Sequence, residues 1–201
     1  GTVAMAPQDL RAEADAQRMS RTMIAVIVDG PACKEYRLPT SLELATSDTE
    51  QVRELLDKLP FSLPREPVPK GSSRQGGGSA FTVHLYGFRH WADLFTPRQL
   101  LSLGTLANAI RRVAIKEHPV QPYLAAALDS LADYGSSLCN WDPHGEYVTH
   151  TFQRFALPIK WDFCEVNPTS STTGNFLGGV EWIAKCIEHT QEGLREAPPA
   201  K

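Results

Sequence analysis

Between Pro60 and Ser79 the chain carries Pro60, Pro64, Pro67 and Pro69, followed by Gly71, Gly76, Gly77 and Gly78. Proline removes a backbone donor and fixes φ, so the first half of this stretch resists helix and interior strand. The glycine half has little side chain to bury and is costly to order. The stretch therefore reads as a linker over residues 60–80, semi-stiff and then flexible. It divides a small N-terminal unit over 21–59 from a larger module over 81–196, with tails at 1–20 (not necessarily ordered) and 197–201. A phosphate loop is the weaker reading, because Gly76-Gly77-Gly78 lacks a following Lys-Ser/Thr and no strand leads into it.

The 201 residues as a whole are 42% hydrophobic and 21% charged, enough apolar material for a core in one domain or two small ones. A net charge of −3 excludes a histone-like or polybasic protein but leaves room for a local basic patch. Cys33, Cys139, Cys164 and Cys186 lie far apart with no Cys-x-x-Cys pair, which points to a reducing compartment and no disulfide framework. No signal-peptide pattern or membrane-length apolar run is visible, so a cytoplasmic location away from membranes is expected.

The periodicities predict an α+β fold. Met23–Val28 is a β-branched run closed by Asp29-Gly30-Pro31, and Lys34–Leu38 follows, which reads as a hairpin. Ser47-Asp48-Thr49-Glu50 has capping-box spacing ahead of Val52, Leu55, Leu56 and Leu59, completing a β-β-α unit. Beyond the linker a mainly helical core with a few short strands is expected. Phe81–Tyr86 alternates like a strand. In Phe95-Thr96-Pro97-Arg98-Gln99-Leu100, Thr96 can cap a helix, Pro97 suits its first position and Gln99 can return the capping bond. That helix would bury Leu100, Leu103, Leu106, Ala107, Ile110, Val113 and Ala114 and stop before His118-Pro119. A second, over 120–134, turns Leu124, Ala127, Leu128 and Leu131 inward and Asp129 and Asp133 outward, ending at Gly135. Ser136–Glu146 reads as a loop, and Tyr147–Glu165 as up to two strands through Ile159, Trp161 and Phe163. A last helix over 176–195 would face inward with Leu177, Val180, Ile183, Ala184 and Ile187.

Charge is uneven. Residues 71–118 carry +4, against −2 before them and −5 after. Arg98, Ser102, Thr105, Asn108, Arg112 and Lys116 share one helical stripe, which could track phosphates while Asn108 and Arg112 reach base edges. The same stripe also suits an ordinary solvated face. Asp162, Glu165 and Asn167 beside aromatics could form a polar site at a strand end, or a plain strand end followed by Asn-Pro turn punctuation. Cys139, His144, His150 and Cys164 match no common zinc spacing, so no metal is expected, and a Cys–His nucleophile is no better supported. Gly174 to Gly179 lacks Gly-x-Gly and suits close helix packing.

Several of these segments resemble, in order, the central region of a family of large adenine-specific DNA methylases that carry a zinc ribbon, some linked with anti-phage defence. The likeness runs through Tyr86-Gly87-Phe88 and Trp91 to Leu101, then Leu128 to Asp133, Ser136 to Trp141, Thr151-Phe152 and Ala156-Leu157-Pro158. It continues through Trp161 to Pro168 and Gly178 to Trp182. Ile24–Gly30 and Tyr36–Thr40 are similar to the segment preceding this core, so the resemblance covers about residues 21–190. It implies S-adenosylmethionine as cofactor, methylation of the exocyclic amine of a flipped adenine, and contact of Phe95, Thr96 and Pro97 with the methionine end of the cofactor. The family's Asp-Pro-Pro-Tyr motif, its Asp-Pro-Phe-x-Gly-x-Gly loop and its zinc cysteines are absent from this chain. The resemblance thus implies a non-catalytic central module, inactive alone, that positions DNA or completes the cofactor pocket together with the remaining segments or subunits of a larger methylase. Two alternatives stand beside it: a stand-alone nucleic-acid-binding module using the basic helix, and a structural or protein-interaction module.

Overall fold

A computed structural model describes residues 4–46, 49–69, 81–114, 118–153 and 156–195. The chain is α+β, with two small antiparallel sheets among its helices. Within the expected tail lies helix α1 (Pro7–Asp15), which opens on Pro7 and on Asp9 accepting the Ala6 N–H at 2.7 Å. Ala14 buries it against Gly87, whose φ of 89° is the left-handed conformation glycine adopts without strain. The expected hairpin is present as β1 (Val26–Asp29) and β2 (Lys34–Arg37), with Val26 opposite Arg37 and an ion pair from Lys34 to Asp29 at the turn. Helix α2 (Ser41–Thr46) follows, then α3 (Glu50–Asp57). Thr49 is the N-cap of α3, accepting the Val52 N–H, where the sequence pattern pointed to a box opening at Ser47. Ser47 and Asp48 lie outside the described residues.

The proline half of the expected linker is built into the module. Proline keeps its carbonyl, and Pro64 O and Glu66 O accept the N–H groups of Ala92 and Trp91, while Val68 N–H reaches Arg89 O at 2.9 Å. Val68 is buried. Residues 70–80 lie outside the described ones. Phe81–Tyr86 is a 3-10 turn over Val83–Tyr86 instead of a strand, because Thr82 and Val83 both donate to the Leu157 carbonyl and no ladder can extend from one acceptor.

Helices α4 (Pro97–Ala114), α5 (Gln121–Tyr134) and α6 (Phe176–Leu194) agree with the periodicities. Between α5 and α6, among the described residues, only β3 (Trp141–Asp142) and β4 (Tyr147–Val148) pair with each other. The 158–165 segment has no ladder: Ile159 N–H goes to Thr82 Oγ1 and Cys164 N–H to Cys139 O, two unrelated partners.

The helices form a row. α3 packs on α4, α4 on α5 and α5 on α6. Gly104 lets Leu59 approach so closely that an added Cβ would meet it at 2.4 Å, and Gly179 sits against Ala127. As an end member, α6 buries no residue: Val180, Ile183 and Ile187 are half-buried, whereas Leu177 and Ala184, expected inside, are exposed. Similarly, Val113 at the end of α4 is exposed. A buried cluster forms outside the long helices, where Val68, Val83, Leu94, Leu138 and Leu157 meet, flanked by Phe81, Phe88, Trp91 and Phe95. Among the described residues no helix is long and apolar enough to cross a membrane.

Candidate functional site

The start of α4 is fixed from two sides. Thr96 N–H donates to Gln99 Oε1 at 2.7 Å and Thr96 Oγ1 accepts the Gln99 N–H at 3.3 Å, the reciprocal cap anticipated from the spacing. Behind it, the Leu94 carbonyl accepts both Ser137 N–H and Ser137 Oγ–H, at 2.8 and 2.6 Å. Phe95, Thr96 and Pro97 are thereby held in one turn, with Thr96 and Gln99 each 6% exposed. Gln99 Nε2 is buried and unpartnered among the described residues. It shares an amide with the oxygen bound to Thr96 N–H, so it lies beside the first turn of α4. A buried donor without an acceptor costs about 1–3 kcal/mol, and an acceptor arriving there regains it.

Arg98 joins this turn to the polar segment. Its Nε and terminal amino group donate to the two carboxylate oxygens of Glu165, the second at 3.0 Å, and both side chains are largely covered. Next to Glu165, burial first, then the Cys139 thiol and the Glu165 carboxylate, push the Cys164 thiol up to about 11. The other two members of the expected polar site stay apart. Asp162 is exposed, and exposed Asn167 turns its Oδ1 back to Thr169 N–H at 3.1 Å and Thr169 Oγ1–H at 2.9 Å, the local turn role.

Of the expected DNA-contacting stripe, Arg98 is engaged by Glu165 and Ser102 Oγ bonds back to Arg98 O. Asn108 is half-buried and Arg112 exposed, whereas Lys116 lies outside the described residues. Exposed Arg111 lies 5.9 Å from the centroid of Phe61.

A second cluster escaped the sequence reading. Asp133, expected in solvent, holds His150 Nδ1 at 2.6 Å and accepts the Phe152 N–H at 2.9 Å, and His150 Nε2 meets Tyr134 OH at 2.9 Å. Burial, with the nearby Asp133 and Tyr147, raises the Tyr134 phenol above its ordinary range, so it stays protonated. Behind this clasp Ser136, Cys139 and Thr151 form a buried knot, with Ser136 Oγ 2.7 Å from Thr151 Oγ1 and Thr151 Oγ1 donating to Asp133 O at 2.6 Å. The loop reading of Ser136–Glu146 missed that its first four residues are among the most buried of the chain. A polar Ser-Ser pair after a helix-ending glycine carries no periodic signal of burial. Among the described residues no group of three or more His, Cys, Asp or Glu could hold a metal ion.

The start of α4 is thus tied to the segment after α5 through Ser137 and to the 158–165 segment through Glu165. Set against protein-family models, curated proteins and solved structures, the chain has no match in any of the three.

Proposed function

We propose that the chain is a non-catalytic module of an S-adenosylmethionine-dependent DNA adenine methyltransferase, in which the start of α4 completes the cofactor pocket alongside the remaining segments of the enzyme. The observation that carries this reading is convergence. The segments that resemble the methylases are the ones that meet: Ser137 on Leu94, Glu165 on Arg98 and Cys164 on Cys139. Motifs far apart in sequence are thus assembled around Phe95-Thr96-Pro97.

The residues fit one end of such a cofactor. The positive end of α4 and the spare Gln99 amide suit its carboxylate, and Phe95 offers an apolar edge. When bound, S-adenosylmethionine supplies the transferable methyl group. This chain's part is to hold one end of it and to exclude water from that end. Further support for a part within a larger whole comes from the surface. Among the described residues, seventeen large apolar side chains are exposed against eleven buried apolar ones. Where such side chains adjoin, they offer apolar surface to another protein segment.

Titrating the isotopically labelled chain with S-adenosylmethionine tests the proposal. Expected are amide shifts confined to Phe95–Leu100, Ser137 and Glu165, with no methyl transfer to adenine-containing DNA. Turnover by the isolated chain, or no shift at millimolar cofactor, overturns it. A DNA-track reading of α4 rests on exposed Arg112 and requires binding that weakens steeply with salt and falls on Arg112→Ala.

A further inference from the structure

The β1–β2 hairpin has an open edge. Gly30 N–H donates to Cys33 O at 3.0 Å and closes the turn as a bonded pair. Bonded and non-bonded pairs alternate along an antiparallel ladder. The next bonded pairs are therefore Val28 with Glu35 and Val26 with Arg37, which directs the N–H and C=O of Lys34 and Tyr36 away from β1. Among the described residues these groups have no backbone partner. Val26, Ile27 and Val28 are half-buried, whereas Glu35, Tyr36 and Arg37 are exposed, so β2 is the side open to another strand. It is also braced: Tyr36 OH accepts Trp141 Nε1–H at 3.2 Å, and Glu43 holds Arg37 through two bonds at 2.8 and 2.7 Å. Leu38 and Leu42, just beyond β2, are 80% and 73% exposed. A two-stranded hairpin alone is marginal in water and gains from a further strand.

We propose that β2 pairs antiparallel with β2 of a second copy of this chain, about a two-fold axis at Tyr36. Charge is what suits the edge to its own copy. With Tyr36 opposite Tyr36, the run Lys34-Glu35-Tyr36-Arg37-Leu38 sets Glu35 of each chain opposite Arg37 of the other. The backbone allows this register, because both Tyr36 residues turn their N–H and C=O outward and can exchange both bonds. Glu35 forms no hydrogen bond or ion pair among the described residues. Leu38 O and Glu43 take three bonds from the Arg37 guanidinium, which leaves two of its five donors for an incoming carboxylate. Lys34 falls opposite Leu38 and can lay its apolar stem there while Asp29 holds its ammonium. One short strand with its flanking leucines stays below the about 1,200 Å² of a standard interface, so the association is weak. Nothing in this pairing depends on the function proposed above.

Sedimentation equilibrium and amide spectra of the whole chain, from roughly 10 μM to 1 mM, test the pairing. A monomer–dimer equilibrium is expected, with concentration-dependent shifts centred on Lys34–Leu38. Glu35→Lys puts Lys opposite Arg twice, and Arg37→Glu puts two carboxylates opposite each other twice. Each variant alone should dimerise roughly tenfold more weakly or worse. Mixed in equal amounts, the two variants regain both opposite-charge pairs and should associate about as well as the parent. Unchanged β1 amide signals will show that a variant keeps its hairpin. If Arg37→Glu loses the hairpin along with its Glu43 contact, Glu35→Lys decides the question alone. A chain that stays monomeric at about 1 mM overturns the proposal, as does association that Glu35→Lys leaves unchanged. So do shifts centred on α6, or two folded variants that fail to pair when mixed.

Discussion

Thr96 joins two jobs in one side chain. Its hydroxyl caps α4 by accepting the Gln99 N–H, and its own N–H is taken by the Gln99 amide, so the turn that would face a ligand is also the turn that starts the helix. Thr96→Ala removes the first bond and leaves a buried N–H exposed to no acceptor. The expected cost is about 1 kcal/mol, read as a lower urea midpoint, whereas Thr96→Ser should stay close to the parent. Cys164 gives a pH signature. Its thiol is pushed up to about 11 in the folded state, above its ordinary 9.0, chiefly by burial. Between those values the unfolded chain loses the proton and the folded chain keeps it, so stability is complete below pH 9 and declines as pH rises towards 11. The decline is on the order of 2 kcal/mol and should flatten in Cys164→Ala, measured by denaturant melts from pH 8 to 11. At neutral pH Cys164 should also label far more slowly than exposed Cys33 and Cys186.

At the scale of elements, the bond between Arg98 and Glu165 ties the irregular 158–165 segment to α4. Glu165→Gln leaves a largely covered guanidinium facing a neutral amide, with an expected loss of about 1–2 kcal/mol. Loosening of the segment should show as faster thiol labelling of Cys164, a readout distinct from the melt. The same contrast between helix and irregular segment explains what could be read from residues alone. α4 was legible because Thr96, Pro97 and Gln99 carry its start within four residues, and α5 and α6 because their boundaries and apolar spacing are local. The 81–86 and 158–165 segments alternate like strands, but alternation reports two faces and says nothing of a neighbouring strand; the first instead donates twice to one carbonyl, Leu157 O, and the second donates to Thr82 Oγ1 and Cys139 O. Asp133 was misread for the same reason. Helical spacing puts it outside, and only the return of His150 and Phe152 makes it a clasp. Within the candidate site, Phe95-Thr96-Pro97 was visible as a motif, while Ser137, which holds it, was not. Its role depends on a carbonyl forty-three positions away.

At the scale of the molecule, α3 to α6 pack in succession, and a separate cluster gathers residues from outside them. Each of these helices packs on its neighbours in the row, and among the described residues α6 packs chiefly on α5. That arrangement has a temporal side. α4 and α5 are adjacent in the chain and dock through contacts between near neighbours, so their pairing closes a short loop. The cluster requires Val68, Val83 and Leu94 to find Leu138 and Leu157, which closes much longer ones. Refolding should therefore be ordered, with the helical pair in place before the cluster consolidates. Leu157→Ala, in the cluster, should mainly accelerate unfolding, whereas Ala127→Gly, inside α5, should mainly slow folding, as stopped-flow chevrons will report. The turn that presents Phe95, Thr96 and Pro97 sits where the two parts join, and it would acquire its final shape only in the last step.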